Sequence, residues 1–238
     1  MLRWSDGLVI PFLCIEDGVK YLEDRACENA HILNIKLPRG LKIGERCFAG
    51  SDLMEILLPR DLHTIKKETF KNCKFLETIS AEVGVSTISY SAFEGCENLK
   101  EARFHIVKTV RDSAFEGCKN LETLKLGYQI KQLGRFLFRG CSSLESLEIK
   151  GTFDKLEKWT FSGADNLEFL TLRTDAKSLY FPPDGFEDTY LRELSLLGDF
   201  EPIAKSRNCL PEDVIIRAYN LSKPHLAFGY FFDVYPIV

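Results

Sequence analysis

One phrase recurs along this chain at a nearly fixed interval. SAFEGCENLKEARF, beginning at Ser91, returns as SAFEGCKNLETLKL from Ser113 and as LFRGCSSLESLEI from Leu137. Self-similarity at this short period restricts the fold to a stack of equivalent coils, because each unit can bury its apolar face only against its neighbours.

Aligned copies resolve into columns. The anchor column is Cys27, Phe48, Phe70, Phe93, Phe115, Phe138, Phe161 and Phe186. Five positions earlier stands an aliphatic, from Leu22 and Ile43 to Leu133 and Leu156; in the eighth copy Leu179 comes seven before its anchor. Two positions after the anchor only Gly, Asn or Asp occurs: Asn29, Gly50, Asn72, Gly95, Gly117, Gly140, Gly163 and Asp188. These residues tolerate positive φ, so each copy is expected to make a left-handed turn there, ending a short helical segment. The next column is small throughout: Ala30, Ser51, Cys73, Cys96, Cys118, Cys141, Ala164 and Thr189. Half of the eight cysteines therefore follow the repeat and read as buried structural thiols rather than disulfides. With no Cys-x-x-Cys pair and four scattered histidines, zinc is not indicated.

Each copy closes on L-x-x-L-x-L, with apolar pairs such as Ile56 and Leu58, Leu124 and Leu126, or Leu170 and Leu172. Alternation at period two predicts one half-buried strand per coil, stacked into a parallel sheet about 40 Å long at roughly 4.8 Å per strand. The I-x-x-x-A-F-x-G-C-x-x-L-x-x-L-x-L phrases between Val19 and Leu197 resemble the BspA-like, or treponemal-type, leucine-rich repeats. That resemblance implies a right-handed leucine-rich-repeat solenoid of about eight to nine repeats. It would carry a parallel β-sheet on its concave face, short helices and turns on the convex side, and terminal caps. It also implies adhesion, host-surface contact or another interaction role, in proteins that are mostly secreted or surface-bound.

The ends depart from the period. Residues 1–18, with Trp4, Leu8, Ile10, Phe12 and Leu13, read as an N-terminal cap, and 198–238 as a degenerate last repeat and C-terminal cap. There a strand is expected near Val214 to Arg217, then a helix N-capped by Ser222 with Pro224 in its first turn. The aromatics Phe228, Tyr230, Phe231, Phe232 and Tyr235 would seal the core. The apolar run Gly7 to Ile15 is too short to span a membrane, and Asp6 sits where a signal peptide should be basic. The chain as written reads as cytoplasmic, or as secreted or surface-located if a leader precedes it. A net charge of −4 and pI near 5.7 argue against nucleic acid as partner.

Function is expected on the outward strand positions. Most are polar, with both charges interspersed, but Leu57, Phe169 and Leu197 break the pattern. Phe169 is the candidate anchor for a protein partner, since buried aromatics dominate interface energetics. Arg103, Lys125, Lys150 and Arg173 form a broken basic diagonal beside Glu101 and Glu148. Two positions before the anchor, a polar column turns aromatic at Phe136 and Trp159, placing two rings side by side on the outer edge as a second contact patch, or burying both if the wall curves locally. No Gly-rich phosphate loop, G-x-S-x-G or H-E-x-x-H occurs. The sequence reads as a non-catalytic interaction module without cofactor or metal, monomeric or weakly self-associating. The alternatives are a surface adhesin for host matrix or glycan, and a structural scaffold.

Overall fold

The computed structural model describes residues 8–81, 83–204, 209–211 and 213–219, and the backbone of β19 (Val234–Pro236). The aromatic run 228–232, Ser222, Pro224, Trp4 and the Tyr235 side chain lie outside the described residues.

About nine coils are stacked, and most contribute a strand to each of two parallel faces, a narrow and a broad one, each formed by several sheets. The narrow sheet is built from the aliphatic column before the anchor: β2 (Tyr21–Leu22) with β4 (Lys42–Ile43); then β6 (Thr64–Ile65), β8 (Thr87–Ile88), β10 (Thr109–Val110) and β12 (Gln132–Leu133); then β15 (Ser178–Phe181) with β17 (Glu201–Ala204). The broad sheet comes from the closing L-x-L phrases. Its first pieces are β1 (Leu13–Cys14) with β3 (Ile35–Lys36), then β5 (Glu55–Leu57), β7 (Thr78–Ser80), β9 (Glu101–Arg103) and β11 (Thr123–Lys125). Its second is β13 (Ser146–Gly151), β14 (Phe169–Thr174), β16 (Glu193–Leu197), β18 (Ile215–Tyr219) and β19. The register keeps the repeat columns aligned, as in Leu147↔Leu170↔Leu194↔Ile216.

The short helices expected on the convex side are absent: the described residues contain no α-helix there, only turns. The backbone explains why. The column two after the anchor is left-handed as expected, from Asn29 (φ 56°) to Gly117 (φ 73°). So is the column two before it: Arg25, Arg46, Glu68, Ser91, Ser113, Phe136, Trp159 and Asp184 all have φ between 53° and 61°. Only three residues separate the two left-handed positions, too few for a helical turn to close. The amides at even offsets donate across coils instead. Arg46 N–H donates to the Lys67 carbonyl at 3.0 Å, Phe48 N–H to that of Thr69 at 2.9 Å, and Gly50 N–H to that of Lys71 at 2.8 Å. The convex wall is thus a third hydrogen-bonded ladder, which answers for the backbone polar groups of the turns.

Inside, the anchor rings form one column. Phe48, Phe70, Phe93, Phe115, Phe138, Phe161 and Phe186 stack face to face, with successive centroids 4.9–6.3 Å apart. The small column has a second use beyond its size. The thiols of Cys73, Cys96, Cys118 and Cys141 donate to the carbonyls of Phe48, Phe70, Phe93 and Phe115 in the preceding coil, at 2.9–3.2 Å. Burial pushes the Cys141 thiol up to about 12 and lifts those of Cys96 and Cys118 well above their ordinary value. Cys96, Cys118 and Cys141 therefore stay protonated, as donation requires.

The broad sheet breaks at a joint between β11 and β13, which are not paired, whereas β3 and β5 are still joined by the isolated bridge Asn34↔Glu55. Leu124 to Leu147 is a step of 23 residues, but the bridge Ile130↔Gly151 is a step of 21. The excess is taken up in a bulge at Gly127 (φ 80°) and Tyr128. The slot is closed at one end by Ser143 N–H to the Lys119 carbonyl (3.0 Å), and at the other by Ile130 N–H to that of Lys150 (3.0 Å). The widest ring spacing, 6.3 Å between Phe115 and Phe138, falls here too.

Candidate interaction surface

Strand length decides which side chains the broad sheet presents. In the coils up to β11 the strands are two or three residues long, so only the first two outward columns lie on strands. Pro38 and Pro59, two positions past Lys36 and Leu57, are buried where the chain turns away. From β13 onward the strands of the complete coils run five or six residues, and Lys150, Arg173 and Leu197 are true strand positions.

Leu57 is 59% exposed and Phe169 47% exposed on this face. They lie far apart in the stack, Leu57 on β5 beside Phe12, and Phe169 on β14. The basic diagonal is divided. Arg103 is paired with Glu101 on its own strand, and Lys150 with Glu148 at 2.9 Å. Lys125 and Arg173 have no acidic partner among the described residues. A slot of about 450 Å³ between β11 and β13 is lined by Lys125, Tyr128, Glu148 and Lys150, so part of the diagonal borders the joint.

Around Phe169 the register gives the row Ser146–Phe169–Glu193–Ile215. Glu193 is drawn toward the strand interior, accepting from Ser195 Oγ at 3.2 Å and pairing with Arg217 Nε at 2.7 Å. Phe169 and the exposed Ile215 flank its stem. Tyr190, 76% exposed, stands where the loop enters β16. Neither Tyr190 nor Ile215 was singled out from the sequence. A weaker signal existed for Tyr190: its column is His31, Asp52, Asn98, Asn120, Ser143 and Asn166 in most other coils, with Phe75 as a second aromatic exception.

Phe136 and Trp159 do lie side by side, with rings parallel within 4° and 5.3 Å apart. Both are half-buried, with Arg139 over one ring at 5.7 Å and Lys158 over the other at 5.5 Å. This pair is the aromatic counterpart of the Arg46–Glu68 contact in the same left-handed column.

The reactive side chains are held apart. His31 Nδ1 lies 2.7 Å from Asp52 Oδ2, and His63 and His105 Nδ1 contact the carbonyls of Gly84 (3.3 Å) and Ala81 (3.0 Å). The anchor-side thiols are sealed in the core, and Cys14 is the exposed cysteine. Among the described residues no cluster of His, Cys, Asp and Glu could hold a metal ion, and no helix is long and apolar enough to cross a membrane.

A family model for the BspA type leucine rich repeat region matches residues 10–106 and 105–207, in six copies. A leucine-rich repeat protein from Bacteroides ovatus superposes with a TM-score of 0.60 at 24% identity, over 86% of this chain and 61% of that one. The chain thus spans less than two thirds of that structure. A leucine rich cell surface protein from Faecalibacterium prausnitzii gives 0.44 at 21% identity, over 84% of this chain and 61% of that one. The pneumococcal vaccine antigen PcpA gives 0.39 at 16%, over 97% and 80%. No curated protein matches by sequence.

Proposed function

The chain belongs to the BspA-type leucine-rich repeat family, and on that premise we propose that it is a non-catalytic interaction module whose broad sheet receives a protein partner. The face that serves is its C-terminal half, from β13 to β18. The carrying observation is Phe169, a large aromatic 47% exposed at the first position of the six-residue strand β14, where the alternation calls for a polar residue. An aromatic held on a rigid sheet loses little conformational freedom on binding, which is the usual makeup of an interface anchor. Arg173, without an acidic partner among the described residues, supplies charge at the rim, Lys125 adds to it from β11 across the joint, and the Glu148–Lys150 pair orients it further.

The experiment compares wild type with Phe169→Ala in affinity capture, with thermal unfolding measured beside it. A specific partner should be retained by the wild type and bind the variant at least about fivefold more weakly, or about 1 kcal/mol. The melting temperature should hardly move, since surface substitutions seldom change stability by more than about 0.5 kcal/mol. Equal recovery by both proteins removes the reading.

A further inference from the structure

Next to Phe169 the broad sheet is bordered by a groove of about 570 Å³ between the loops that lead into β14, β16 and β18. Its apolar part is Tyr190, Leu191, Pro211 and Ile215, of which Tyr190 and Ile215 are exposed. Its rim is Asp165, Glu168, Arg192 and Asp213. Arg192 Nη1 lies 3.4 Å from Glu168 Oε2 and offsets that carboxylate. Asp165 and Asp213 have no cationic partner among the described residues.

The negative rim continues along the stack. The residue just ahead of the strand is acidic at three successive broad-sheet strands, Glu122 before β11, Glu145 before β13 and Glu168 before β14, and is Arg192 before β16 and Val214 before β18. Of these three, only Glu168 has a cation within 4 Å among the described residues. The opposite edge of the same strands carries Lys125, Lys150 and Arg173. From β11 to β14 the face is therefore polarised across the strand direction, its acidic side running up to the groove, where Arg192 is the one cation of the described rim.

We propose that this groove takes an extended segment of a partner protein that carries Lys or Arg beside apolar side chains. This rests on the interaction reading above and adds the chemistry of the partner. The groove lies close to Phe169: in the row Phe169–Glu193–Ile215 only Glu193, paired with Arg217, stands between Phe169 and the groove residue Ile215. A segment seated on Tyr190 and Ile215 would place its cations against Asp165 and Asp213. An acidic segment would meet the same carboxylates and be repelled. Because the rim is solvent-exposed, attraction across it must weaken as salt rises.

Two synthetic peptides test it, with the same leucine and tryptophan residues, one flanked by lysines and the other by glutamates. Fluorescence anisotropy with the full chain should show the lysine-flanked probe binding roughly tenfold more tightly at low salt. Asp165→Asn with Asp213→Asn should weaken that probe about fivefold or more, whereas Asp17→Asn with Glu23→Gln, an equal charge change on the first coils, should leave it unchanged. No binding of the lysine-flanked probe to the wild type, equal binding of both probes, or equal loss in the control variant overturns the proposal. Phe169→Ala separates the two readings. If it weakens the probe and the Asp pair does not, the groove falls and the broad-face reading stands. If only the Asp pair matters, the groove stands and Phe169 is not the anchor.

Discussion

The coils on either side of the β11/β13 joint use the same columns to different ends. From β5 to β11 the broad strands are three residues long, the narrow sheet from β6 to β12 is continuous, and the rings of Phe48, Phe70, Phe93 and Phe115 stack 5.2–5.5 Å apart. Past the joint the broad strands reach five or six residues, and the narrow sheet shrinks to β15 and β17. The small column changes as well, from cysteine to Ala164 and Thr189. Thr189 Oγ1 donates to the Phe186 carbonyl within its own coil at 2.8 Å, where the thiols reach back one coil. The first block is the regular one, with short strands, thiol bonds from coil to coil and a continuous narrow sheet. The second pairs longer strands and so presents a wider face, which holds Phe169 and Ile215 and borders the acidic groove. Regularity and display are separable here because each coil answers only to its neighbours.

The contrast can be broken most forcefully at the rings. Phe115→Ala should cost about 3–5 kcal/mol in chemical denaturation, since it opens a cavity in a fully buried stack. Phe136→Ala, half-buried at the outer wall, should cost about 1 kcal/mol or less. Comparable losses would mean that the wall is as much a part of the core as the anchor column.

Glycines give the next test. A Cβ on Gly151 would lie 1.8 Å from the Ile130 carbonyl oxygen, so Gly151→Ala must break the bridge that closes the joint, at about 2–3 kcal/mol. At Gly117 the nearest atom would be 3.6 Å away, and only the left-handed backbone resists. Gly117→Ala should therefore cost about 1–2 kcal/mol. The joint itself should show in hydrogen exchange. Amides of β11 and β13 that face each other should exchange roughly tenfold or more faster than those within β7 and β9, because no ladder protects them. Uniform protection across the joint would erase the division into blocks. The smallest effect is a gain. Ser113→Gly relieves a left-handed residue (φ 57°) at the cost of added freedom in the unfolded chain, for a net stabilisation of about 0.5 kcal/mol.

Legibility in the sequence followed the side chains. The anchors, the small column and the left-handed position after the anchor were readable because each restricts residue type: bulk aromatic, small, or tolerant of positive φ. The second left-handed position was not, because Arg46, Glu68, Ser113 and Trp159 have no shared preference for it. Amides bonded from coil to coil impose that conformation, and it is what replaces the expected helices with turns. On the face, alternation alone marked Leu57 and Phe169 as exposed. It could not show that Arg103 and Lys150 turn onto Glu101 and Glu148 while Lys125 and Arg173 stay unpaired, since rotamers are not written in a column. Nor could period-two reasoning reach Tyr190, which stands in a loop.

The thiol-to-carbonyl bonds carry an implication for how such a molecule can grow. The Phe93 carbonyl accepts the Cys96 amide of its own coil and the Cys118 thiol of the next, so the upper and lower surfaces of that unit already match each other. An in-frame duplication of the segment from Thr87 to Val107 and its connector would create seams of a kind already present, and the molecule would lengthen without inventing a contact. Copying the unit that holds Gly127 and Tyr128 would duplicate the misfit as well. Growth is free within one block and penalised at the seam between them.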